Sequence, residues 1–185
     1  MIVGYNGSDF CGSQKNPGVR TVESEIEKAL FEIGCINKLN FGDLKKIGWN
    51  RATRTDKSVH ALQNTFSCKV HISKTERESD IGMEQFRHRL NAALKKICDE
   101  HTSEGKVPTK DGEIKVFCVI EVSNRFNAKN STSHRDYSYY LPTFLLAPIT
   151  EFYLGKLGTN LQPEEQKIRE EDITAQKVVN GITIT

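Results

Sequence analysis

Two stretches with apolar residues at helical spacing, several runs in which apolar and polar residues alternate, and the order in which they come predict an α+β fold. That order is strand, helix, strand, strand, helix, strand, then one more strand. Its first six elements spell a ferredoxin-like, split βαβ sheet, antiparallel, with two helices on one face. The opposite face of such a sheet is left open and needs a cover or a ligand.

The first strand is Met1 to Tyr5, which ends in the turn signal Asn6-Gly7-Ser8-Asp9. From Asn6 to Arg20 the breakers Gly7, Gly12, Pro17 and Gly18 leave only a loop. A loop of that length inside a compact domain is uncommon unless it has a task. The first helix starts at Thr21 as N-cap, with Glu23 and Glu25 at its positive end and Val22, Ile26, Ala29, Leu30 and Ile33 on one face. Gly34 closes it.

Leu44 to Trp49 is a weaker strand without clean alternation, and the polar stretch Arg51 to Ala61 follows it. Phe66, Cys68, Val70 and Ile72 then alternate with Thr65, Ser67, Lys69 and His71, the pattern of a strand with one buried face. Met83, Phe86, Leu90, Ala93, Leu94 and Ile97 make the second helix, with Arg87, Arg89, Lys95 and Lys96 off that face. Asp99 to Glu113 is a polar insertion, Ile114 to Val122 alternates again, and Tyr137, Tyr139 and Leu141 form a further strand before Pro142. The tail after Pro148 offers a helix start at Pro163 and a last strand around Val178 to Ile184; Glu170-Glu171-Asp172 reads as a solvated face. In this topology the polar stretch joins the second and third strands, which are expected to pair through intervening neighbours. Its side chains then project from a sheet edge toward the open face.

Length fits one domain with a real core. The 26 Lys and Arg against 24 Asp and Glu leave only +2, so a nucleic-acid partner needs a local basic surface. Five widely spaced cysteines without a Cys-x-x-Cys pair read as reduced, mostly buried thiols of an intracellular protein. No apolar run approaches the roughly 20 residues of a membrane span, and no signal-like region opens the chain. Since Met1 already reads as strand, the sequence is expected to be cut at that end.

The chemistry concentrates at Arg51-Ala52-Thr53-Arg54-Thr55-Asp56-Lys57-Ser58-Val59-His60-Ala61. One carboxylate, Asp56, stands among Arg51, Arg54, Lys57 and His60, so its ionised form is expected to be favoured. That suits a nucleophile or an electrostatic stabiliser better than a proton donor. The bland alternative is a surface turn whose aspartate pairs with the nearest arginine. A metal-assisted hydrolase built on Asp56, His60 and His71 is a third reading, with no recognisable metal-ligand spacing behind it.

Arg54-Thr55-Asp56-Lys57-Ser58-Val59-His60-Ala61 resembles the Arg-Thr-Asp-x-x-Val-x-Ala signature of TruA-type tRNA pseudouridine synthases. Three more stretches fit that family in order: Gly4 to Gly12, Gln14 to Leu30 with Arg20-Thr21-Val22-Glu23, and Phe126-Asn127-Ala128-Lys129-Asn130 leading to Arg135-Asp136-Tyr137-Ser138-Tyr139. Lys57, Asn16-Pro17-Gly18 and Leu141-Pro142-Thr143-Phe144 are closest to the eukaryotic Pus1 branch, whereas Ser58 and His60 return to the bacterial form. The resemblance covers residues 1–148 as an N-terminal catalytic subdomain. It leaves 149–185 as a poorly matched tail, with the start of a truncated second half as one reading of it, so that the chain alone is expected to lack a complete site.

The resemblance implies uridine-to-pseudouridine isomerisation in tRNA or other structured RNA, without a cofactor, in a nuclear enzyme. By position it implies Asp56 as the catalytic carboxylate, Arg54 as the arginine of that loop and Tyr137 as the ring against the target base. Arg51, Lys57, Lys129 and Arg135 are expected to form the basic surface for RNA. The alternative function is a non-catalytic RNA-binding module of the same topology.

Overall fold

The computed structural model describes residues 1–79, 81–101, 113–140 and 182–184. Met1–Ser133 form one compact unit and His134–Thr185 a second. In the first unit the elements are β1 (Ile2–Tyr5), α1 (Val22–Glu32), β2 (Asn50–Arg51), β3 (Ala61–Ser67), α2 (Lys74–Glu78), α3 (Gly82–His101) and β4 (Ile114–Cys118). The four strands form one sheet in the order β2-β3-β1-β4, with antiparallel pairing at every step. β1 is therefore central, which suits a strand whose Val3 and Tyr5 are both buried.

One core holds the unit together. Val3 and Tyr5 of β1, Ile26 and Leu30 of α1, Phe66 of β3, Phe86, Leu90 and Ile97 of α3 and Val116 of β4 belong to a single buried cluster. α1 packs against α3, and α3 against β4. The start of α1 follows from its sequence: Ser24 N donates to Thr21 Oγ1 at 3.3 Å and Thr21 N donates back to Ser24 Oγ at 3.0 Å. This is a capping box in which a serine does the work usually given to Glu or Gln. The helix closes at Gly34, whose N–H reaches Phe31 O, with Cys35 N on Leu30 O.

Several expectations need correction. Leu44 to Trp49 is a series of turns, because its donors go to oxygens a few residues back: Lys46 N to Asp43 O, Gly48 N to Lys45 O and Trp49 N to Leu44 O. The third strand lies earlier than its alternation suggested. Cys68, Val70 and Ile72 still pack on the core, but Lys69 N and His71 N bond to Ile47 O and Cys35 O instead of a neighbouring strand. β2 and β3 are direct neighbours, Arg51 opposite Phe66, so residues 52–60 are a hairpin connection with no strand in between. β4 stops at Cys118, leaving Ile120 and Val122 exposed.

The short α2, capped by Ser73 Oγ on Glu76 N at 3.2 Å, was not anticipated. In the second unit β5 (Tyr137–Tyr139) pairs in parallel with β6 (Ile182–Ile184). Leu141, the Pro163 helix start and most of the polar insertion lie outside the described residues.

Candidate active site

The hairpin connection 52–60 rests on the long loop 6–20, and hydrogen bonds fix the two together. Thr55 N donates to Ser13 Oγ at 2.8 Å while Ser13 N donates to Thr55 O at 3.0 Å. Ser58 N donates to Phe10 O at 3.2 Å, and Gly7 N to His60 Nδ1 at 3.3 Å. Ser13 also accepts Glu23 N through its carbonyl at 3.1 Å, which ties the same loop to the first turn of α1.

Two glycines make the approach possible. Gly12 has φ +89°, and a Cβ there would lie 2.9 Å from Thr55 O. A Cβ on Gly7 would lie 2.1 Å from Val59 O. The breakers that marked 6–20 as a loop are thus what lets it pass beneath the aspartate stretch.

Between these anchors Asp56 and Lys57 stand exposed. Among the described residues the Asp56 carboxylate makes no hydrogen bond and no ion pair, and only its backbone oxygen is used, by Val59 N at 3.2 Å. This corrects the picture of an aspartate wrapped in arginines. Arg54 is exposed and donates to Gln14 Oε1 at 3.1 Å. Arg51 is committed elsewhere altogether: its Nε and Nη2 both donate to Glu23, the latter at 3.0 Å.

Glu23 is wholly buried, and its two oxygens also accept Trp49 Nε1 at 2.8 Å and Lys15 N at 2.9 Å. Four donors on one carboxylate compensate for taking its charge out of water. Arg51 is thereby a strut between α1 and the hairpin, and its expected place on an RNA surface is withdrawn. The sequence reading took Glu23 for a helix-dipole charge. Nothing in its local pattern announced a partner 28 residues away.

Lys129 sits on a turn made by its own motif. Asn127 Oδ1 accepts the backbone N–H of Lys129 at 2.9 Å and of Asn130 at 3.3 Å, while Asn127 Nδ2 donates to Asn50 Oδ1 at 3.1 Å. Ala128 N donates to Ser67 Oγ at 3.3 Å, so the turn is docked on the β2–β3 edge with Lys129 exposed. Arg54, Lys57, Arg125 and Lys129 carry no ion pair among the described residues, unlike the α3 cations Arg87, Arg89, Lys95 and Lys96. Tyr137, in β5, and Arg135, just before it, belong to the second unit, and Tyr137 is 55% exposed.

The metal reading does not survive the geometry. His60 precedes β3 and contacts Gly7, whereas His71 lies beyond the other end of that strand, its N–H on Cys35 O. No group of three or more metal-ligating side chains occurs among the described residues. A cavity of about 610 Å³ does exist at that far end, lined by Met1, Val70, Ile72, Phe86, Ile120 and Val122 among others. Of the residues proposed for the chemistry only His71 lines it, while Asp56, Arg54, Lys57 and His60 do not, so the aspartate loop and this hollow do not coincide.

No family model matches the chain. Individual relatives do. The tRNA pseudouridine(27/28) synthase of Saccharomyces cerevisiae is 36% identical over 146 residues, 79% of this chain and 32% of that protein. The tRNA pseudouridine synthase 1 of Candida glabrata is 30% identical over 178 residues, 96% of this chain and 28% of that protein. The pseudouridylate synthase 1 homolog of Mus musculus is 28% identical over 150 residues, 80% of this chain and 29% of that protein. The chain spans about a third or less of the length of these relatives. Together with the ordered motifs on the two facing loops, these relatives support the resemblance of the chain to the TruA-type tRNA pseudouridine synthases of the eukaryotic Pus1 branch.

Proposed function

We propose that the intact protein converts uridine to pseudouridine in tRNA, with Asp56 as the catalytic carboxylate. The observation that carries this reading is an exposed, unpaired aspartate on a hairpin connection whose flanking residues are fixed by hydrogen bonds. A group that must act on a substrate needs both properties, free oxygens and a set position.

The isomerisation breaks the bond from ribose C1′ to N1, turns the base, and forms the bond from C1′ to C5; the proton leaving C5 is balanced by one gained at N1. Asp56 starts this either by attacking C1′ or by removing a proton beside it, and both roles need the carboxylate ionised. The target uridine has to leave the base stack first. Arg54, Lys57, Lys129 and Arg135 would hold phosphates, and Tyr137 would stack on the base. No cofactor is required by this chemistry.

The finer architecture belongs to the same proposal. The strand order β2-β3-β1-β4, the antiparallel pairing and the packing of α1 on α3 support a ferredoxin-like split βαβ with both helices on one face. Residues 1–148 would be the N-terminal catalytic subdomain, completed by a second half of the same enzyme. A nuclear address rests on likeness to the Pus1 branch alone.

The test is isomerisation of uridine-labelled tRNA by the intact protein and by Asp56→Ala. Loss of product with tRNA binding retained supports the reading. Full activity in Asp56→Ala removes it, and tight single-strand binding that ignores Asp56, with no product from either protein, favours the non-catalytic RNA module.

A further inference from the structure

Beneath the aspartate loop runs a short polar chain that begins in the core. Tyr5, at the end of the central strand, is only 5% exposed, and Asn64 of β3 only 2%. Asn64 Nδ2 donates to the Tyr5 hydroxyl oxygen at 3.3 Å and to Thr53 O at 3.1 Å. The Tyr5 hydroxyl in turn lies 2.8 Å from Thr55 Oγ1. Either hydroxyl can donate across this contact, and both oxygens have the capacity for it. Thr55 is therefore gripped at three points: its N–H and C=O by Ser13, its hydroxyl by Tyr5. Asp56 is the next residue.

A phenylalanine would fill the Tyr5 ring site equally well, and a buried hydroxyl brings a desolvation cost that its hydrogen bonds must offset. We propose that Tyr5 is a positioning residue, whose hydroxyl, steadied by Asn64, fixes Thr55 and so sets the direction in which Asp56 is presented. The inference rests on the isomerase reading above. It goes beyond that reading by tying the reacting loop to the middle of the sheet through one atom. Small displacements of a reacting group are enough to matter, since a misplacement of about 1 Å can cost on the order of 100-fold in rate.

The experiment measures kcat, KM and melting temperature for the intact protein carrying Tyr5→Phe, Thr55→Val, or both, with Asp56→Ala alongside. Tyr5→Phe leaves the Asn64 to Thr53 bond in place, so the fold persists. The expected result is a kcat lowered about tenfold with KM within about twofold, the same in Thr55→Val, and no further loss in the double variant. Amide exchange in residues 53–58 should quicken in both single variants.

Thr55→Val keeps the side-chain shape and carries the test if Tyr5→Phe proves poorly folded. A kcat within about twofold of wild type in both variants, beside an inactive Asp56→Ala, overturns the positioning role and leaves the isomerase reading standing. Two losses that simply add in log kcat also overturn it. Full activity in Asp56→Ala overturns both.

Discussion

Replacing Glu23 with alanine should unfold the coupling between α1 and both loops at a cost that can be worked out. The carboxylate is fully buried and accepts Trp49 Nε1, Lys15 N and two nitrogens of Arg51. Removing one partner of a buried ion pair typically costs about 3–5 kcal/mol, and each neutral donor left dry about 1–3 kcal/mol. These losses overlap, and the Arg51 side chain is 24% exposed and can turn partly to water. The lower end, about 3 kcal/mol, is therefore the expected loss for Glu23→Ala. For a chain of this size that is roughly 6–12 °C in melting temperature.

The assay is urea unfolding followed by the fluorescence of Trp49, the sole tryptophan and itself a donor to Glu23. Arg51→Met should recover part of the loss when combined with Glu23→Ala, because it removes the unpaired charge. A loss below about 1 kcal/mol, or simple additivity of the two substitutions, would refute the buried anchor.

Two further predictions follow from particular atoms. Gly12→Ala meets both a positive φ and the Thr55 carbonyl at 2.9 Å, whereas Gly18→Ala at φ +75° meets open space. Gly18→Ala should thus cost about 1–2 kcal/mol from backbone strain alone, and Gly12→Ala measurably more by denaturant midpoint, with loosened amide protection at Thr55. Burial pushes the pKa of the Cys68 thiol up to about 12, from an ordinary value of 9.0. The folded chain then keeps a proton that the unfolded chain releases, so this contribution to stability is complete below pH 9 and fades as pH rises from 9 toward 12. Cys68→Ala should flatten that decline, and in the native protein a thiol reagent at pH 8 should label exposed Cys11 well before Cys68.

The sequence was legible where one local rule decided the outcome. Thr21 as N-cap, the apolar faces of α1 and α3, the closure at Gly34 and the loop 6–20 all follow from residues within a turn or two of each other. It misled where burial and pairing part company. Val70 and Ile72 alternate because they touch the core, yet the neighbouring Lys69 and His71 give their N–H groups to loops, so the periodicity reported a buried face and said nothing of a ladder. Arg51 was misread for a related reason. A charge pattern counts neighbours along the chain, and Asp56 is five residues off, but the carboxylate that takes Arg51 comes from another element, 28 residues back. Ser13, which exchanges two bonds with Thr55, carries no signal in the sequence at all.

The two misreadings of charge and the free state of Asp56 have one cause. An aspartate beside three cations and a histidine would, left to itself, close an ion pair on the surface, and its oxygens would then be unavailable to a ribose. The fold prevents this by giving both arginines other partners. Glu23 holds Arg51 in a buried, two-pronged pair, and Gln14 engages Arg54 through a neutral oxygen that leaves its charge available. A buried carboxylate outcompetes an exposed one for the same guanidinium because surface pairing is worth about 0–1 kcal/mol, while leaving Glu23 unpaired would cost several. The acid that is hidden thus keeps the acid that is exposed free. Among the described residues both oxygens of Asp56 are unclaimed, with positive charge at Arg54 and Lys57 on either side of it in the chain, as the proposed attack on an RNA ribose requires.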